Sequence, residues 1–150
     1  MNDAGSFPPP ILFMRLTEWL QRLSKPKAEP KLADTTAVEP LVTAMKDSDP
    51  AVRRLAVIAL GDLGDWKATE ELIRSLNDRD DAVRLEAVIA LGKIGDPRAV
   101  EPLIEKLKSY DYFYVRKKAA YTLYIFYRQA HLDTRLREKI MSHWRSWYLT

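Results

Sequence analysis

From Ala37 onward, apolar positions recur at three- and four-residue steps, in blocks separated by polar corners. Val38, Leu41, Val42 and Met45 form one stripe, and Leu72, Ile73 and Leu76 form its counterpart. That spacing puts one apolar face on a helix of about three turns. Thr36 and Glu39 stand in capping-box relation at its start. Pro40 and Pro102 fall in first turns, where no intrahelical N–H bond is lost. A polar corner follows, Asp47-Ser48-Asp49 or Asp78-Arg79-Asp80, and then a second helix. Asp49 and Asp80 are its expected N-caps, with Pro50 as the first helical residue of the earlier one. Its buried stripe reads Val52, Ala56, Ala59, Leu60 and Leu63, then Val83, Ala87, Ala90, Leu91 and Ile94. Gly64-Asp65 and Gly95-Asp96 end it with a residue that tolerates a left-handed cap.

The two blocks are copies. Residues 37–67 and 68–98 are identical at sixteen of 31 positions, and AVRRLAVIALGDLGD at 51–65 returns as AVRLEAVIALGKIGD at 82–96. A third copy opens at Ala99, where AVEPLIEKL answers AVEPLVTAM at 37–45. Self-similarity at this period means stacked supersecondary units. The pattern D-x-D-x-x-V-R-x-x-A-x-x-A-L-G-x-I/L-G-D resembles a HEAT-type repeat, and is most similar to the short HEAT-like variety named after phycobilisome (phycocyanobilin) lyases. The resemblance covers about residues 37–128. It implies an all-α, right-handed solenoid of about three helix pairs. It also implies that Arg53, Arg84 and Arg116 form a polar ladder beside Asp47, Asp78 and their neighbours, a structural role. The expected pairs are about 37–46/50–63, 68–77/81–94 and 99–108/113–129.

The flanks differ from the repeats. Residues 1–10 contain Pro8-Pro9-Pro10 and cannot be helical there. Residues 11–23 form an amphipathic helix with Leu12, Leu16, Trp19, Leu20 and Leu23 on one side, followed by a linker at 24–34. The helix is too short to span a bilayer. It is expected to cap the first repeat, which solenoids need, with Trp19 and Leu20 against Val38–Met45. The competing role is docking on a membrane surface or a partner, helped by Arg15, Arg22, Lys25 and Lys27. Two domains result: 1–36, and a repeat domain at 37–150 closed by a C-terminal helix at about 133–148 with Asp133 as its cap. In the third copy Tyr124 and Tyr127 stand where glycines punctuate the others, so its second helix should run on to about Gln129. Eleven of fifteen aromatic residues lie beyond Ser109.

Composition narrows the chemistry. There is no cysteine, hence no disulfide framework and no thiolate nucleophile or metal site, which is compatible with a cytoplasmic location. Net charge is +3, and the excess sits in residues 99–150, which hold ten Lys or Arg against five Asp or Glu. His131 and His143 lack metal-ligand spacing, and no His-Glu dipeptide occurs, such as the HEAT-like iron enzyme deoxyhypusine hydroxylase uses. The G-x-x-G pairs at 61–64 and 92–95 punctuate helix ends and follow no strand, so they are not phosphate loops. No catalytic residue, metal site or cofactor is assigned.

The remaining reading is a non-catalytic protein-binding module, an adaptor, scaffold or assembly factor. Positions 54, 58 and 62 step along one face of the second helix, as do 85, 89, 93 and 117, 121, 125. In a HEAT-type stack that face looks into the concave groove. It carries Arg54, Ile58, Asp62, Leu85, Ile89, Lys93, Lys117, Tyr121 and Ile125, and Leu55, Tyr114 and Lys118 widen it. The partner-binding residues assigned are Arg54, Ile58, Leu85, Ile89, Lys93, Tyr114, Lys117, Tyr121 and Ile125. A register shift of one position would instead send Ile58 and Ile89 into the core. Two alternatives stand behind this reading. One, from the resemblance, is a bilin lyase-like or phycobilisome-associated chromophore handler. The other is nucleic-acid binding through the basic, aromatic C-terminal third, including Lys106, Lys108, Arg116, Lys117, Lys118 and Arg128. The second is the weaker, because any amphipathic helix needs a polar face.

Overall fold

The computed structural model describes residues 37–109, 111–129 and 132–148. The chain divides into two units, Met1–Ala33 and Asp34–Thr150, and every described residue belongs to the second. The expectations for the helix at 11–23 and for Thr36 lie outside the described residues.

Among the described residues seven α-helices follow one another: α1 (Val38–Ala44), α2 (Pro50–Leu63), α3 (Thr69–Ser75), α4 (Asp81–Ile94), α5 (Val100–Lys108), α6 (Phe113–Arg128) and α7 (Thr134–Tyr148). Among the described residues there is no strand. Helices α1 and α2, α3 and α4, and α5 and α6 pack in pairs, and the second helices α2, α4 and α6 lie side by side. Single 3-10 turns, Trp66–Ala68 and Pro97–Ala99, join the repeats. The result is an all-α solenoid.

Local chemistry sets the boundaries. Asp49 accepts from the Ala51 amide at 2.8 Å, and Asp80 accepts from those of Ala82 and Val83 at 3.0 and 3.1 Å. Gly64 and Gly95 end α2 and α4 at φ 69° and 74°, a conformation that carries no penalty without a Cβ. Helix α6 has no such stop and runs two residues longer, to Arg128. Asp133 caps the last helix through the Leu136 amide at 2.9 Å. The start of α1 is plainer: Ala37 is its N-cap and makes no side-chain cap bond.

The core runs along the stack through Val57, Leu60, Leu72, Val88, Leu91, Leu103, Ile104, Leu123 and Phe126, all fully buried. Two expectations about the second-helix stripe are corrected here. Val57 and Val88, absent from the expected stripe, are core residues, whereas Val52 is 37% exposed although its counterpart Val83 is 1% exposed. Gly61 and Gly92 are not helix-end punctuation either. A Cβ on Gly61 would lie 2.7 Å from Cβ and 2.8 Å from Cα of Ala90, and one on Gly92 would lie 2.9 Å from Thr122 Cγ2. These glycines are where consecutive second helices touch.

Candidate partner-binding surface

Polar groups at the corners fix how each repeat sits on the next. Arg53 donates to both carboxylate oxygens of Asp78 at 2.8 Å, and to the carbonyls of Asp47 and Ser48 at 2.9 and 3.0 Å. Arg84 repeats this with the Asp78 carbonyl at 2.8 Å and the Asp111 carboxylate at 2.8–3.1 Å. Each arginine thus binds its own corner through a carbonyl and the following corner through an acid. Lys106, almost wholly buried, adds a bond to Asp111 at 2.9 Å. Burial works to raise the Asp78 carboxyl, but the Arg53 guanidinium and the Asp80 amide outweigh it and hold the group below the usual carboxylate range. Asp111 is depressed in the same way, burial being outweighed by Arg84, Lys106 and the Tyr112 amide. Arg116 closes the series: its Nε is buried and makes no hydrogen bond. Arg53, Arg84 and Lys106 thus have partners within the stack.

The face of α2, α4 and α6 carrying positions 54–62, 85–93 and 117–125 lies at the surface. Arg54, Asp62, Lys93, Lys117 and Tyr121 are exposed, and Ile58, Leu85, Ile89 and Ile125 are half-buried. Leu85 leans on the core, while Ile58, Ile89 and Ile125 are not among the side chains packed against it. Tyr114 and Leu55 are 58% and 64% exposed.

Charge divides this face in two. Along α2 and α4 it is self-paired: Arg54 Nε meets Glu86 at 3.7 Å, and Lys93 Nζ meets Asp62 at 2.7 Å. Between α4 and α6 it is not. There Leu85, Tyr114, Lys117, Lys118 and Tyr121 line an open cleft of about 490 Å³. Lys118 Nζ stands 5.6 Å above the Tyr121 ring and Lys117 Nζ 5.9 Å above Phe113. Among the described residues neither lysine makes an ion pair.

Two residues that sequence reasoning passed over, Tyr112 and Phe113, are 55% and 56% exposed and touch the cleft-lining Tyr114. The rings of Phe113 and Tyr114 meet edge to face at 5.8 Å, and Tyr112 tilts against Tyr114 at 5.5 Å. The signal was present in the repeat register. Tyr112 occupies the position of Asp49 and Asp80, so the third copy puts a tyrosine where the others put an N-cap carboxylate, and α6 starts without a side-chain cap bond.

The described residues form no group of three or more His, Cys, Asp or Glu able to hold a metal ion. His143 Nδ1 lies 2.8 Å from the Lys139 carbonyl of its own helix. No described helix is long and apolar enough to cross a membrane.

Comparison with known proteins agrees with the architecture. No curated protein matches the chain. Among solved structures, the complex of CpcE and CpcF of phycocyanin lyase from Nostoc sp. PCC7120 is similar at 27% identity and a TM-score of 0.53. The likeness covers 84% of this chain but only 42% of the solved one, so this chain spans less than half the length of that relative. The family described as HEAT repeats matches residues 38–124. That match takes in more than half of the sequence, and the chain belongs to the HEAT-repeat family.

Proposed function

We propose that the protein is a non-catalytic interaction module that binds another protein along the exposed face of its second helices. The observation that carries this reading is the cluster of large apolar side chains on that face. Tyr112, Phe113, Tyr114 and Tyr121 are each more than two-fifths exposed, with half-buried Leu85, Ile89 and Ile125 beside them. Contiguous exposed apolar surface of this kind marks interaction sites. Aromatic and basic residues are those enriched at interface anchors. Arg53, Arg84 and Lys106 are engaged with Asp78 and Asp111 in the stack, and fold by itself licenses no activity.

The test is affinity capture from the native host with the wild-type chain and with Ile89→Asp and Tyr121→Ala. Each variant should keep its melting temperature and lose specific proteins by about 1 kcal/mol or more of affinity. If Ile89→Asp unfolds the protein, that residue belongs to the core and the proposed face loses its centre.

A second reading, a lyase-like chromophore handler, is favoured by the likeness to the phycocyanin lyase complex. Co-expression with a bilin and candidate apoproteins separates the two, since covalent colour on an apoprotein is expected only of the lyase reading.

A further inference from the structure

Resting on the interaction-module reading, we infer the partner's chemistry: the cleft between α4 and α6 takes an acidic segment of a protein, with one bulky apolar side chain seated between Leu85 and Tyr121.

On the α2 and α4 part of the face each cation has an acid, Arg54 with Glu86 and Lys93 with Asp62. At the cleft, Lys117 and Lys118 have only ring faces beneath them, at 5.9 and 5.6 Å. A cation over an aromatic face is held weakly in water, by roughly 0.5–1 kcal/mol at exposed sites. A carboxylate entering from solvent therefore finds two ammonium groups already gathered at one rim, with no internal ion pair to break. Complementary charge of this kind steers the encounter and fixes the partner's register.

The lining supplies the second requirement. Leu85, Tyr114 and Tyr121 are apolar walls, so the occupant needs an apolar group as well as charge. The departure from the repeat supplies the third. At position 112 the third copy gives up a capping carboxylate and gains an exposed ring against the cleft-lining Tyr114.

A nucleic acid fits less well. Base stacking needs free ring faces, and those of Phe113 and Tyr121 carry lysines. A phosphate backbone continuing toward α2 would also meet Glu86 and Asp62.

The experiment is selection of a randomised dodecapeptide display library on the immobilised full chain. Anisotropy titrations of the most enriched peptide, and of a fifteen-residue oligouridylate, then follow. The proteins are wild type, the double variant Lys117→Glu/Lys118→Glu, Tyr121→Ala, and Arg74→Glu on exposed α3. Circular dichroism confirms that each is folded. We expect enriched peptides with net negative charge and at least one aromatic or large aliphatic residue. The double variant should weaken their binding about tenfold or more, Tyr121→Ala should weaken it less, and Arg74→Glu should leave it unchanged.

Neutral or basic peptides whose binding is lost with Tyr121→Ala overturn the acidic partner and leave the module reading standing. Binding indifferent to both cleft variants, tighter binding of the oligouridylate, or no enrichment over the blank matrix also overturns the inference. In those cases the module reading is judged separately by native capture.

Discussion

Where two helices meet, single atoms decide the spacing, and Gly61 against Ala90 is the clearest case. The contact is to backbone as well as side chain, so a methyl group at 61 has nowhere to go without parting α2 from α4. Gly61→Ala is expected to cost about 1–3 kcal/mol despite its gain in helix propensity, read as a lowered denaturant midpoint. Little of this was legible beforehand. A glycine three residues from a helix-ending glycine looks like part of the same stop signal, and only the neighbouring repeat shows that one caps and the other permits contact. The resemblance to HEAT-type repeats implied the arginine ladder and placed it beside Asp47 and Asp78. That each arginine takes its own corner through a carbonyl and the following corner through an acid depends on how the corners stack. Since Arg53 joins Asp78 and two carbonyls while Arg116 Nε has no acceptor, Arg53→Ala should lower the melting temperature clearly more than Arg116→Ala.

At the level of elements, the helix pattern could be read almost residue by residue, because capping aspartates, corner prolines and left-handed glycines are local signals. Burial was less readable where it depends on neighbours, as Val52 and Val83 show. Helix α7 joins the core through Ile140, which is 1% exposed, and packs on α5 and α6. Ile140→Ala should therefore destabilise the fold by about 2–5 kcal/mol. Helix α6 carries a different expectation. Its uncapped start puts a tyrosine where the other copies have aspartate. Restoring the carboxylate with Tyr112→Asp should stabilise the protein by about 0.5–2 kcal/mol while weakening partner binding. Thermal melts and capture run on the same sample check both halves. A gain in stability with no loss of binding would remove Tyr112 from the surface.

Across the whole molecule, the ladder ties stability to pH. Asp78 and Asp111 have folded-state carboxyls held below the ordinary aspartate value of 3.8, by the cations and amides that outweigh their burial. A group depressed in this direction contributes fully above its unfolded value and loses that contribution as pH falls through its folded one. Melting temperature should thus be flat toward neutrality and fall below about pH 4. In Asp78→Asn the neutral plateau should drop and the acid slope should shrink. The same stack that fixes these pairs also aligns α2, α4 and α6, and so brings residues from adjacent repeats onto one exposed face. Sequence register assigned Ile58, Leu85, Ile89 and Tyr121 to that face as an expectation. It did not show that charge is self-paired at one end and open at the other, because Arg54–Glu86 and Lys93–Asp62 are contacts between repeats. The most direct test of the face is photo-crosslinking in the native host from benzoylphenylalanine placed at Tyr121 on α6, with Arg74 on α3 as the control position. A protein adduct formed from position 121 and not from position 74 is the predicted result. Adducts from 74 alone, or none from 121 in a chain that remains folded, would contradict the account.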